Sequence, residues 1–278
     1  SSLEMGGSVA AERTGVGQLM TAQPARPIRL IARLDVKGRN LIKGVHMEGL
    51  RVLGSPNDRA RSYYAAGADE LLYIDNVASL YDRNYLGELV TDLIRDVFIP
   101  VTVAGGIRSV EDVRSLLRAG ADKVAINTAA IRYPRLIKDV AESFGSQCVV
   151  ASIEAKRSES GKWEALVEGG REKTGVDALE WAEEAIALGA GEILLTSIDQ
   201  DGTEKGFDID LVHQVGALSR VPVIASGGMG AVSDAEALLT HSSADAVAIG
   251  SAVHYDRVNF ADVRKCLKDS GFAVRDYG

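Results

Sequence analysis

Cysteine is scarce: Cys148 and Cys266 are the only two in 278 residues. Two thiols so far apart make neither a disulfide framework nor a CxxC ligand pair. Each follows an apolar run and reads as a small buried hydrophobe, which suits a reducing, cytoplasmic setting. The four histidines, His46, His213, His241 and His254, are scattered. With no HxH, HExxH or CxxC pattern, no metal is expected, no Ser-His-Asp arrangement suggests itself, and nothing calls for a cofactor. Positive charge is in deficit as well. A formal net charge of −8 argues against nucleic acid as a partner, because no excess of cations is present to neutralise phosphates. An anionic small substrate must then be held by a local cluster of amides and cations. No apolar run approaches the eighteen or so residues of a membrane span, so no membrane partner is expected. A GxGxxG after a first strand is also missing, which counts against an open dinucleotide-binding sheet.

Hydrophobic residues make up 46% and charged residues 25%, enough for a sizeable core inside a well-solvated surface. The length suits one large α/β barrel or two small domains. Residues 1–25 are rich in Gly, Ser and Ala and have no apolar h-region, so they do not read as a secretory signal. The leading SSLE reads as a cloning scar, and the whole stretch is expected to be flexible.

From residue 28 onward, short apolar runs alternate with amphipathic ones. Candidate strands cover 28–35, 70–75, 100–106, 123–127, 148–154, 192–199, 222–228 and 246–250. Segments such as VEDVRSLLRAG (110–120) and DALEWAEEAIALG (177–189) carry helical spacing and a glycine stop. Strands that are apolar throughout belong to a parallel sheet covered on both faces. Eight such units predict a closed α/β fold, a (βα)₈ TIM barrel, over residues 26–278.

The chain also repeats itself. The segment 99–131 lines up with 221–255: Pro100 precedes Gly106 by six residues as Pro222 precedes Gly228, and Asp122 precedes Asn127 by five as Asp245 precedes Gly250. ARLDVK (32–37) answers ASIEAK (151–156), and ELLYID (70–75) answers EILLTSID (192–199). Two homologous half-barrels, about 28–146 and 147–275, account for these matches.

In such a barrel the active site lies at the C-terminal ends of the strands. Asp35 and Glu154 end the first strand of each half and should face each other across that mouth. A lone strand-end acid is more often a surface group or a helix cap. Here both occupy the same slot of a duplicated unit, each followed two residues later by a lysine. Paired carboxylates can divide acid and base roles if their environments separate their pKa values. The third strands end in Gly105-Gly106 and in Ser226-Gly227-Gly228, the fourth in Asn127-Thr128 and Gly250-Ser251. Such ends let backbone amides approach an anion closely, and one copy per half suggests a substrate with two phosphates. Asp201 and Gly202, after the sixth strand, either serve the second phosphate or the reacting centre, or form an ordinary turn.

With these residues in view, the sequence resembles the cyclase subunit of imidazole glycerol phosphate synthase, a family of histidine biosynthesis. The likeness covers roughly 28–275 and rests on LDVKGRNLIKGV, GADELLYID, AGGIRSVEDVRSLLRAGADKVAINTAA, FGSQCVV, GAGEILLTSIDQDGT and PVIASGG. It implies a lyase-type enzyme partnered by a glutaminase subunit. Ammonia released at the barrel's base travels through its centre and reacts at the top with a bisphosphorylated ribonucleotide, giving imidazole glycerol phosphate and AICAR. By position, Asp35 is one catalytic acid/base and Glu154 stands where the family has an aspartate. Lys43 matches a lysine near the first phosphate site. Gly106, Asn127 and Thr128 match one phosphate site, and Gly202, Gly228, Gly250 and Ser251 match the other. Arg29, Glu70, Lys123 and Glu192 correspond to a charged ring that admits ammonia, and Asp122 to a partner contact.

Three features depart from the family. Glu154 is one methylene longer than the aspartate, Arg33 replaces a cysteine, and ASLYDRNYL (78–86) differs from the usual segment. Together they resemble a paralogue from surface-sugar gene clusters that supplies ammonia to a sugar amidotransferase. A sugar-phosphate isomerase on the same half-barrels and a non-catalytic glutaminase-binding scaffold are the other readings.

Overall fold

The computed structural model describes residues 26–76 and 86–277. The extension 1–25 lies outside them, as does the ASLYDRNYL segment apart from Leu86. Strand β1 (Arg29–Lys37) leads into a hairpin of β2 (Asn40–Val45) and β3 (Glu48–Gly54), followed by α1 (Pro56–Ala65) and β4 (Glu70–Asp75). Then come α2 (Leu86–Leu93), β5 (Val101–Ala104), α3 (Val110–Ala119), β6 (Lys123–Ile126), α4 (Thr128–Arg132) and α5 (Arg135–Phe144). The second half opens with β7 (Val149–Arg157), the hairpin β8 (Trp163–Val167) and β9 (Glu172–Asp177), α6 (Ala178–Leu188) and β10 (Glu192–Ser197). It closes with α7 (Ile209–Leu218), β11 (Val223–Ser226), α8 (Val232–His241), β12 (Ala246–Ile249), α9 (Ser251–His254) and α10 (Phe260–Asp269).

Eight of these strands form a closed parallel circuit, β1-β4-β5-β6-β7-β10-β11-β12 and back to β1. The expected (βα)₈ barrel is therefore the observed one. β1 and β7 stand four strands apart, on opposite walls. Strand alternation sorts their side chains: Leu30, Ala32 and Leu34 pack outward against the helices, while Ile31 points into the barrel. The interior is plugged by Ile31, Leu72, Ile74, Val150, Leu194 and Ile224 together with four alanines, so it is a packed core and not an open pore.

The internal repeat is visible in the backbone. Asn127 has φ −113° and ψ −90°, and its counterpart Gly250 has φ −113° and ψ −91°. Asp122 Oδ2 accepts the Val101 N–H at 2.8 Å, and Asp245 Oδ2 accepts the Val223 N–H at 2.9 Å. Asp112 takes the amides of Arg108 and Ser109, as Asp234 takes those of Gly230 and Ala231.

Three expectations need correction. The strands read over 100–106 and 222–228 stop at Ala104 and Ser226, because the glycine pairs that follow turn to positive φ. The antiparallel strands β2, β3, β8 and β9 were not foreseen; they are short, and three of them carry exposed or half-exposed residues that break the apolar run. Neither cysteine is fully buried. Cys148 sits in a single helical turn with its thiol on the Phe144 carbonyl, and Cys266 faces Glu236 from α10.

Candidate active site at the barrel mouth

Asp35 and Glu154 end up where β1 and β7 reach the mouth, and both are buried. Their surroundings differ sharply. Asp35 lies between two cations: Arg33 Nε donates to one carboxylate oxygen at 3.0 Å and Lys43 Nζ to the other at 3.0 Å. Lys43 also donates to Asp201 at 3.1 Å. Burial opposes the Asp35 anion, but Arg33 and Lys43 outweigh it and hold the carboxyl well below the usual carboxylate range. The same two acids raise Lys43 against its own desolvation.

Arg33 is the largest of the fully buried side chains, with 1% of its surface exposed. It points inward from β1, as alternation expects. Its Nη1 donates to Thr196 Oγ1 of β10 at 3.2 Å and to Ser226 Oγ of β11 at 2.9 Å. The guanidinium thus spans from β1 past β12 to two strands beyond, above the apolar layer. Burial counts against its charge, and Asp35 and Asp201 more than offset that.

Glu154 has no cation in contact. Its Oε2 is buried without a hydrogen-bond partner. Desolvation is the dominant influence and pushes the carboxyl up to about 7; the more distant Arg33 and the Gly170 N–H pull the other way. The two acids of the repeat are therefore unequal: one is fixed as an anion, the other titrates near neutrality.

The glycine-rich strand ends fall into two groups, one per half. Gly105, Gly106, Asn127 and Thr128 line a cavity of about 350 Å³ together with Glu154, Arg108, Arg132 and Tyr133. Gly202, Ser226, Gly227, Gly228, Gly250 and Ser251 surround a much smaller space, about 10 Å³, with Arg33, Lys43 and Asp201 packed into it. That is room for about one water. Lys43 belongs to this second group, where the β2–β3 hairpin places it. Asp201 is no ordinary turn residue: it is buried and ion-paired with Lys43. The glycines have a steric reason. A Cβ on Gly105 would collide with the Asp75 carbonyl, and one on Gly227 with the Ser197 carbonyl, both at the end of the preceding strand of the half.

At the opposite end of the barrel, Arg29, Glu70, Lys123 and Glu192 form one closed ring. Each cation touches both acids, with ion pairs of 2.5 to 3.2 Å. Asp122 lies at the same end, holding the base of β5 through Val101. Among the described residues, no group of three or more His, Cys, Asp or Glu is placed to hold a metal, and no helix is long and apolar enough to cross a membrane.

Comparison with known proteins decides the family. A family described as histidine biosynthesis protein matches residues 29–259. The imidazole glycerol phosphate synthase subunit HisF of Legionella pneumophila is 65% identical over 203 residues, covering 73% of this chain and 96% of that protein. The subunits of the same name from Streptococcus mutans and Myxococcus xanthus are each 47% identical over 247 residues, covering 89% of this chain and 98% and 97% of theirs. This chain belongs to the histidine biosynthesis family. As a member of the HisF group, it presents side chains at the mouth that sequence reasoning did not single out: Thr196, which receives Arg33, and Arg132 and Glu168, which pair across the larger cavity at 2.9 Å. Thr196 occupies an inward position of β10. The EGG segment at 168–170 was the available signal for the turn that carries Glu168.

Proposed function

We propose that this chain is the cyclase subunit of a glutamine-dependent imidazole glycerol phosphate synthase. In this reading a glutaminase subunit docks on the face carrying the Arg29–Glu70–Lys123–Glu192 ring, near Asp122. Ammonia passes the ring, follows the apolar axis, and reaches a bisphosphorylated ribonucleotide at the mouth. The products are imidazole glycerol phosphate and AICAR, and the setting is cytoplasmic. The observation that carries the reading is the unequal pair of carboxylates on opposite walls of the mouth. A carboxyl near 7 is suited to give and retake a proton at neutral pH, while an anion clamped by two cations accepts or stabilises positive charge without titrating.

One phosphate is assigned to the Gly105–Gly106 and Asn127–Thr128 amides of the larger cavity. The other is assigned to Gly202, Gly227, Gly228, Gly250 and Ser251, where Lys43 is at hand as a counter-ion. The tightness of that second space means that Lys43 exchanges Asp201 for the phosphate as substrate enters. Arg33, lying across the barrel above its apolar layer, is the last group that ammonia passes before the acids. That residue and the longer Glu154 favour one further reading: the same ammonia path serving a sugar amidotransferase.

The test supplies the full chain with the bisphosphate substrate and ammonium salt and follows AICAR release. Turnover supports the cyclase. No turnover, with glutaminase binding intact, removes it in favour of the repurposed path.

A further inference from the structure

The β8–β9 hairpin covers the larger cavity by gripping the groups that would hold an anion there. Glu168 carries φ of 55°, followed by Gly169 at 67° and Gly170 at 75°, so three consecutive left-handed residues fold the chain back over the mouth. A non-glycine residue in that region is uncommon and strained, so its neighbours must hold it there. The contacts are specific. Leu166 O accepts from Asn127 Nδ2 at 3.2 Å, and the Glu168 N–H donates to Thr128 Oγ1 at 3.0 Å. The Glu168 carboxylate meets Arg132 Nη1 at 2.9 Å, while Arg132 Nη2 is taken by Glu172 at 3.1 Å. Glu168 is largely buried there, its side chain 12% exposed. Asn127 Oδ1 is left buried with no partner.

An acidic side chain therefore sits on Arg132, a guanidinium that lines the cavity beside Asn127 and Thr128. Its Oε1 presents to Arg132 Nη1 an anionic oxygen such as a phosphate monoester would present, with less charge. We propose that Glu168 is a built-in stand-in for substrate phosphate, and that a phosphate monoester binds Arg132 by displacing it. This rests on the reading of the cavity as a phosphate site. It adds a binding residue, Arg132, and a competitor, Glu168, to the strand-end amides. A phosphate dianion makes a stronger bidentate pair with arginine than a carboxylate does, so the exchange favours the ligand when it arrives. Departure of Glu168 takes its N–H off Thr128 and loosens the turn that brings Gly170 against Glu154. Phosphate binding would then be felt at the titrating acid.

The test uses the full chain and inorganic phosphate, followed by calorimetry, with circular dichroism and thermal melting to check that each variant folds. Glu168→Gln removes the competing charge and should tighten phosphate about three- to tenfold, the range of a partly buried ion pair. Arg132→Ala should weaken it by about tenfold or more, and the Arg132→Ala, Glu168→Gln double variant should be no tighter than Arg132→Ala alone. Glu168→Gln with unchanged or weaker binding overturns the proposal, as does Arg132→Ala with unchanged binding. Amide exchange gives an independent readout. On adding phosphate, the amides of 166–171 should exchange faster in the wild-type chain; slower exchange would mean that the hairpin clamps the anion instead of yielding to it. Neither measurement involves AICAR release, so this proposal and the cyclase reading can fail separately.

Discussion

The inequality of the two carboxylates can be read as stability. Glu154 moves from an ordinary value of 4.5 to about 7 in the folded chain. Between those values the unfolded chain has released this proton and the folded chain has kept it, so folding weakens as pH rises. The stabilisation is full below about 4.5, is lost progressively up to about 7, and changes no further above that. At about 1.36 kcal/mol per pH unit, the whole span amounts to about 3 kcal/mol. Only 7% of Glu154 is exposed, so solvent screening takes little from this figure. Glu154→Gln keeps the shape and removes the titration. Urea unfolding of both proteins, followed by circular dichroism at pH 4.5, 6 and 8, isolates the effect: the wild-type chain should lose about 3 kcal/mol relative to the glutamine variant between the first and last pH. A difference that stays constant over that range would refute the argument, and with it the claim that burial without a cation sets this acid apart.

Other outcomes follow from the same contacts. Arg33→Met leaves Asp35 and Asp201 sharing Lys43 alone and should cost about 3–5 kcal/mol in urea unfolding at pH 7, as expected when one partner of a buried pair is removed. Arg29→Ala opens the ring and leaves Glu70 and Glu192 with Lys123 only; in a reconstituted complex the glutamine-dependent rate should fall several-fold more than the ammonium-dependent rate. Gly228→Ala sets a Cβ against the Gly206 carbonyl at a φ of 109° and should weaken substrate binding, read as a raised KM.

How far the sequence revealed all this depends on the kind of interaction. The barrel was legible because buried parallel strands are apolar on both faces, and the duplication pinned equivalent positions such as Asn127 and Gly250. The two acids were legible as strand-end charges, while the charged ring came only through the resemblance, and its four residues do pair into a closed circuit. The hairpins were hidden, because strands such as β3, exposed along most of their length, carry no apolar run to detect. That gap also hid which group of strand ends Lys43 joins: strand order alone says nothing of where a hairpin leans. The inward course of Arg33 followed from alternation. Its partners Thr196 and Ser226 did not, since contacts made across a barrel join residues far apart in the chain.

The most direct test combines the ring, the axis and the two acids in one reaction. The chain is assembled with a glutaminase subunit and given the bisphosphate substrate, glutamine labelled with ¹⁵N in its amide, and excess unlabelled ammonium. Mass spectrometry of the imidazole glycerol phosphate then reports the source of its nitrogen. The account predicts product carrying the label in spite of the unlabelled pool. Product with unlabelled nitrogen would contradict the passage through the barrel, and no product from either source would contradict the chemistry assigned to its mouth.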